Sequence, residues 1–349
     1  MYEQGVIRPP TEASSLLVRV TRNCPWNQCL FCPAYKGTKF SKRTVEEVKK
    51  DIDTMAEDYK GYDIKAAFLQ DGDTLILKTE DVLEILRYLK ERFPSIERIT
   101  SYARAPTLRR RTVEELMQLK EAGLTRIHVG LESGSATILK MVKKGITPED
   151  IITGGRHVKE AGIELSEYIM PGIGGKTLSE ENAKETARLL NIIEPDFIRV
   201  RTFAMHPMSP MQKMVKDGTF VPMTDDEIVG EIRLLVSNLR EMHSYLSCGD
   251  FSLNLLMHIN GWLDEKKDYM LKELAAFLSL TKRQRQAYSL IRRTSIIHYP
   301  VSIVLDRDVM ERIEPEIERI ESQGEGAFDR HIWELMSYQL PQPQTDNWR

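Results

Sequence analysis

Three of the four cysteines fall close together, as Cys24, Cys29 and Cys32 in a C-x4-C-x2-C run. Thiols this near one another call for a shared partner. No histidine or further cysteine follows until His128. Structural zinc takes four protein ligands, and catalytic zinc takes three plus water. A disulfide would leave an odd thiol, and nothing in the chain points to an oxidising compartment. A cubane iron–sulfur cluster is usually held by four cysteine thiolates. Held by three, it leaves one iron for a ligand from outside the chain, and an open iron is a place for chemistry. At the level of the residues alone, zinc and iron–sulfur both stand, as does a metal protein without catalytic activity.

The elements around the cysteines set their position. Apolar, strand-like runs fall at 16–20, 66–69, 98–102, 126–131, 163–170 and 197–203. Helical patterns fall between them, at 45–59, 80–92, 113–122, 135–142, 148–161 and 179–193. Thr147-Pro148 reads as a helix cap followed by proline at the first helical position. Gly123 and Gly162 read as helix ends. Six β-α repeats predict an α/β fold with a parallel sheet under helices. They are too few for a closed eight-stranded barrel. A partial (β/α)6 TIM-type barrel over 15–208 is expected, after an N-terminal extension at 1–14. A mainly helical C-terminal region is expected over 209–340, with helices at 225–245, 251–260, 267–278, 281–293 and 309–322 and no further β-α alternation. The segment 341–349 reads as a disordered tail.

In such folds functional residues gather at the C-terminal ends of the strands. After the second run comes Gln70-Asp71-Gly72-Asp73, where glycine admits close approach and the carboxylates suit an ammonium group. An Asx-type turn is the plainer reading. After the third run comes Arg104, suited to a carboxylate or to an internal ion pair. The fourth runs into Gly130-Leu131-Glu132-Ser133-Gly134-Ser135, where a helix begins. The fifth ends at Met170-Pro171-Gly172. The sixth carries Arg199 and Arg201 on one face.

The cysteine loop after the first strand, with the Gly-Leu-Glu-Ser-Gly-Ser stretch and Lys143-Lys144-Gly145 beyond it, resembles the radical S-adenosylmethionine (radical SAM) superfamily. The resembled branch holds the elongator catalytic subunit, the methylthiotransferases and coproporphyrinogen dehydrogenase. The first cysteine gap is one residue longer than the commonest spacing of that family. The resemblance covers about 16–208. It implies that Cys24, Cys29 and Cys32 hold a 4Fe-4S cluster, and that S-adenosyl-L-methionine chelates the open iron. The electron comes from a donor such as flavodoxin or ferredoxin, and cleaves SAM to methionine and a 5′-deoxyadenosyl radical that abstracts hydrogen from a substrate. It also implies that Phe31, Asp71, Gly72, Asp73, Arg104, Glu132, Ser133, Met170 and Arg201 contact SAM. A small-molecule substrate is the first expectation and RNA modification the second. No cobalamin-binding or acetyltransferase domain and no second cysteine cluster is recognised.

Cys248 and Asp250 lie between two expected helices. They are candidates for a hydrogen-atom donor and a substrate contact, with Asn254 one helical turn beyond Asp250. For Cys248 a buried, inert thiol is the plainer reading. The stretch 205–211 could line an apolar pocket or simply pack as a loop. Basic clusters at 109–111, 282–285 and 292–293 usually form solvated faces, with a nucleic-acid patch as the alternative. The chain of 349 residues is 41% hydrophobic and 29% charged, with a net charge of −3. That composition is globular and supplies no global field toward nucleic acid or anionic membrane. No run of about 18 apolar residues and no secretory signal is apparent, so a cytoplasmic, anaerobic or microaerobic protein is expected.

Overall fold

The computed structural model describes residues 2–295 and 299–338. The expected tail at 341–349 lies outside the described residues. Strand β1 (Leu16–Arg19) leads into a short antiparallel pair, β2 (Thr21–Arg22) and β3 (Ser41–Lys42), which brackets the cysteine loop. Helix α1 (Val45–Asp58), β4 (Ala66–Gln70), α2 (Thr79–Arg92) and β5 (Arg98–Ala103) follow. Two helices, α3 (Ala105–Arg110) and α4 (Val113–Glu121), precede β6 (Leu124–Glu132). Then come α5 (Ala136–Met141), α6 (Pro148–Glu160), β7 (Glu164–Ile169), α7 (Ser179–Ile193) and β8 (Phe197–Val200).

The main sheet runs β1-β4-β5-β6-β7-β8, all parallel, as the repeat pattern predicts. Local chemistry explains the regular spacing. Thr44, Thr112 and Thr147 each cap a helix reciprocally with the acid three residues on, and each cap is worth ~1 kcal/mol. Gly123 and Gly162 end helices at φ of 115° and 69°, where a side chain would be strained. Residues such as Ile52, Ile85, Leu119, Ile151 and Leu190 pack between sheet and helices, each at most 0% exposed.

Beyond β8 the chain departs from the expectation. Helix α8 (Met211–Lys216) and α9 (Asp225–Asn238) are followed by β9 (Tyr245–Ser247) and β10 (Asn260–Trp262). Strand β9 adds parallel to β8, and β10 pairs antiparallel with β9. The helix expected over 225–245 stops at Asn238 because the β8 edge takes Tyr245–Ser247 as a partner, and an open edge is costly to leave bare. The helix expected over 251–260 does not form. Asn254 donates to Val200 O (2.6 Å) and Cys248 O (2.8 Å) and accepts from Thr202 N (2.8 Å). Asn260 accepts from Cys248 N (3.0 Å) and Gly249 N (2.9 Å). These side chains bind backbone groups of β8 and of the 248–249 turn, and so hold the segment in a non-helical path. Asp250 and Asn254 therefore do not share a helix face. Helices α10 (Leu263–Ser279), α11 (Lys282–Thr294), α12 (Arg307–Glu321) and α13 (Ala327–Ser337) complete the described chain.

The other face of the sheet is aromatic and polar. Phe68, Tyr102, His128 and Tyr168 meet ring to ring across four strands, with centroids 5.1, 5.9 and 6.0 Å apart. The N-terminal segment lies along it. Gly5 N donates to Gln70 Oε1 (2.9 Å), and buried Glu12 accepts from Arg98 (3.1 Å) and meets His128 Nε2 at 3.4 Å.

The start of α5 closes against α7. A Cβ on Gly134 would sit 2.3 Å from Glu185 O and 2.5 Å from Thr186 N, both backbone atoms. Gly134→Ala should lower stability by about 1–3 kcal/mol, the usual cost of overpacking. Denaturant unfolding checks this, and an unchanged midpoint would contradict the close approach.

Candidate active site

The cysteine loop has no regular structure between β2 and β3. Asn23 and Asn27 take left-handed backbone, at φ of 69° and 46°, which asparagine tolerates better than most residues. Asn23 N donates to Asp71 Oδ2 (2.9 Å), and Asn27 Nδ2 to Tyr35 O (2.6 Å). The loop is also tied to the far side of the sheet. Trp26 Nε1 donates to Lys143 O (2.7 Å), Leu30 N to Val142 O (2.9 Å) and Ser209 Oγ to Leu30 O (2.7 Å). Trp26 lies against Gly145, where a Cβ would meet its ring at 2.2 Å.

Cys24, Cys29 and Cys32 are free thiols on one cavity of about 400 Å³ at the C-terminal ends of the parallel strands. Burial pushes the Cys29 thiol up to about 11 and raises Cys32 as well; Lys144 opposes the shift at both. Burial thus disfavours the thiolate form at Cys29 and Cys32. Among the described residues, no three His, Cys, Asp or Glu side chains converge as ligands of a single metal ion. The donor set suits a cluster in which each thiolate meets its own iron.

Of the residues expected to contact SAM, Phe31, Gly72, Arg104, Glu132 and Arg201 line the cavity with the cysteines. Gly72 packs on Cys24, whose Cβ would lie 3.3 Å from an added Cβ. Glu132 ends β6 at a register shift, with φ of 61°, and accepts from Lys144 Nζ at 2.7 Å. Arg104 donates to Lys144 O (3.2 Å) and Gly145 O (3.0 Å) and lies over the Trp26 ring at 5.3 Å.

The structure places the remaining expected residues off the cavity lining. Asp71 is buried away from the cavity, taking Arg19 Nε at 2.8 Å and Tyr35 OH at 3.2 Å. Burial raises its carboxyl even so. Asp73 accepts from Thr107 Oγ1 (2.6 Å) and Arg104 N (3.3 Å), and burial pushes it up to about 6. The Ser133 Oγ accepts from Ser135 N (3.1 Å) at the start of α5. Met170 packs in an apolar cluster with Phe31, Ile138 and Phe203. Cys248 is 2% exposed and outside the cavity, and burial lifts its thiol far above the ordinary range. Asp250 is held by Arg199, which also donates to Ser166 Oγ at 2.9 Å. Neither Cys248 nor Asp250 reaches the cavity, because their side chains serve internal pairs and packing. Their neighbours Phe251, Ser252 and Leu253 line it instead.

Sequence reasoning missed Tyr102, Tyr168 and the N-terminal Ile7 and Arg8, which also line the cavity. Tyr102 and Tyr168 alternate with outward apolar residues on their strands, a signal that could have found them. Nothing in the sequence signals that residues 7–10 fold across the sheet. Of the stretch 205–211, Met205 and Pro207 line a second, apolar cavity of about 370 Å³ beside α13, with Phe203 and Ala204. The basic clusters are largely used internally. Arg111 donates to Leu75 O at 2.8 Å, Arg285 pairs with Asp226 at 2.6 Å and Arg293 with Asp225 at 2.6 Å.

Residues 18–190 match the Radical SAM superfamily, and the chain belongs to it. The chain is 30% identical over 194 residues to a GTP 3′,8-cyclase of Listeria monocytogenes, covering 55% of this chain and 54% of that one. It is 26% identical over 117 residues to the tRNA uridine(34) acetyltransferase of Methanocaldococcus infernus, covering 33% of this chain and 22% of that one. It thus spans about half, or less, of these curated relatives. The structure of OxsB, a cobalamin-dependent S-adenosylmethionine radical enzyme, superposes with a TM-score of 0.53 at 17% identity. That match covers 95% of this chain and 59% of the other, and shows a shared fold. Among the described residues no helix is long and apolar enough to cross a membrane.

The glycine turn after β7 is pinned by Glu231 of α9. Its Oε1 accepts from Gly172 N (2.9 Å) and Asn182 Nδ2 (2.8 Å), and its Oε2 faces Ser179 Oγ at 2.5 Å. Burial pushes this carboxyl up to about 7, with all three donors opposing. A raised carboxyl stabilises the fold below its unfolded value, and that stability is lost as pH rises through the folded value. The window runs from 4.5 to about 7. Glu231→Gln preserves the shape without the charge. Thermal melts between about pH 5 and about pH 8 should show the wild-type Tm falling by a few degrees relative to the variant. Parallel curves would contradict a buried, raised carboxyl.

Proposed function

We propose that the chain is a radical SAM enzyme that starts its reaction at a cluster held by Cys24, Cys29 and Cys32, and acts on a small molecule. The observation that carries this reading is the convergence of three free cysteines, Gly72, Arg104 and Glu132 on one cavity at the strand ends. A reduced 4Fe-4S cluster supplies the electron that cleaves bound SAM and so generates the hydrogen-abstracting 5′-deoxyadenosyl radical.

The chain's own residues have distinct tasks in this proposal. The cysteines hold the cluster, and Gly72 keeps the space beside Cys24 open for the amino-acid end of SAM. Glu132 offers a carboxylate to a cationic group, with its orientation fixed by Lys144. Arg104 presents a guanidinium, held by two carbonyl groups, to a carboxylate. Phe31 walls the cavity beside the cluster. The N-terminal segment and the 251–253 loop exclude water from the far side. The reductant is a small electron-transfer protein such as flavodoxin or ferredoxin, and the setting is the cytoplasm.

The likeness to a tRNA uridine(34) acetyltransferase favours a second reading, RNA modification, over the segment it covers. Affinity for tRNA that falls steeply with salt would support it.

Anaerobic reconstitution with iron and sulfide should load about four iron atoms per chain. Reductant and SAM should then yield 5′-deoxyadenosine. Cys29→Ala should lose both the cluster absorbance and the product. Full product formation by that variant, or none from a verified wild-type cluster, would contradict the proposal.

A further inference from the structure

Four acidic side chains around the cavity have a cation of their own, whereas Asp73 and Glu167 make no ion pair among the described residues. Glu132 takes Lys144 at 2.7 Å, Asp71 takes Arg19 at 2.8 Å and Glu12 takes Arg98 at 3.1 Å; Asp250 takes Arg199. Three cations on the cavity have no such partner: Arg104, held by the Lys144 and Gly145 carbonyls, Arg8 and Arg201. Among the described residues, neither Arg201 nor Arg8 makes a side-chain hydrogen bond or ion pair. Arg201 is half-buried and rests over the Phe251 ring at 5.8 Å. Arg8 is exposed, at the mouth. Beside Arg201, Tyr168 is 7% exposed and its buried hydroxyl has no hydrogen-bond partner.

Leaving these groups unsatisfied is costly. A half-buried guanidinium keeps only part of its hydration and a buried hydroxyl without a protein partner is unfavourable, so a ligand that pairs with both would recover that cost. Three thiolates on a resting four-iron cluster would carry one net negative charge, close enough for Arg201 to act on Cys32, and SAM held on the iron through its amine and carboxylate would be neutral overall. Among the described residues no anion is hydrogen-bonded to Arg201, which lines the cavity that a substrate would fill. A guanidinium offers paired donors in a plane that matches carboxylate and phosphate oxygens, and a phenol adds one more donor.

We propose that Arg201 and Tyr168 form the anchoring subsite for an anionic small-molecule substrate, bearing a carboxylate or phosphate, with Arg8 attracting it at the mouth. This assignment rests on the function proposed above and moves Arg201 from the cofactor to the substrate. The anion fixes one end of the substrate, and the Phe251 and Tyr102 rings flank the rest.

Calorimetric titration of the reconstituted holoprotein with malonate and with inorganic pyrophosphate, with and without saturating SAM, tests it. The two probes separate carboxylate from phosphate. At least one should bind, and Arg201→Met should weaken it at least ~10-fold, the loss expected for a charged hydrogen bond. Arg201→Lys should recover part of the affinity, and Tyr168→Phe should weaken it several-fold. SAM affinity, measured separately by equilibrium dialysis, should change less than about twofold in Arg201→Met. Absence of binding by both probes, or equal binding in wild type and Arg201→Met, would overturn the subsite. Parallel loss of SAM and probe would also overturn it and return Arg201 to the cofactor. Failure of a verified cluster to bind SAM at all would instead fall on the proposed function, since the SAM-free titration still reads the anion.

Discussion

The site depends on one buried carboxylate. The cysteine loop has no ladder or helix of its own, so something outside must fix its two ends. Asp71, at the end of β4, accepts from Asn23 N just before Cys24 and from Tyr35 OH just after Cys32. It also takes Arg19 of β1. One side chain thereby ties the first strand, the second strand and both ends of the loop. Hydrogen bonds to a charged group are worth ~1.5–3 kcal/mol each when made. Burial raises the carboxyl, and the three donors oppose that shift. Gly72 follows directly and lies against Cys24, so the same anchor sets the floor of the cavity.

From that anchor the rest of the site follows by strand order. Each parallel strand ends at the same rim, and each rim residue comes with a local support. Lys144 fixes Glu132, the 144–145 carbonyls fix Arg104, and Glu231 fixes the turn beyond Met170. Four acidic side chains around this rim are paired with a cation. Arg201 is informative because, among the described residues, no side chain or carbonyl hydrogen-bonds its guanidinium, which lines the cavity.

Much of this was legible in the sequence, and the limits have physical causes. The β-α alternation, the threonine caps and the cysteine loop are local signals, and the first six parallel strands and their helices form where those signals lie. Gly72, Arg104, Glu132 and Arg201 reach the cavity because strand ends of a parallel sheet share one rim, and Phe31 reaches it from the cysteine loop. Asp71 and Asp73 do not, because carboxylates beside a glycine can turn inward as readily as toward a ligand. The helix expected over 251–260 does not form because the partners of Asn254 and Asn260, Val200 and Cys248, are fixed by tertiary contact rather than by helical period. The same limit hid β9 and β10, which are three residues each and carry no periodicity of their own. The N-terminal segment is bound through Gln70, His128 and Arg98, all distant in sequence.

The central claim is that the three cysteines leave one iron open to SAM. Electron paramagnetic resonance of the reduced, reconstituted protein tests it directly. A single reduced 4Fe-4S signal should appear, and saturating SAM should shift its g-values as the amino-acid end of SAM binds the open iron. A signal that SAM leaves unchanged, or a protein that retains zinc in place of iron, would contradict it.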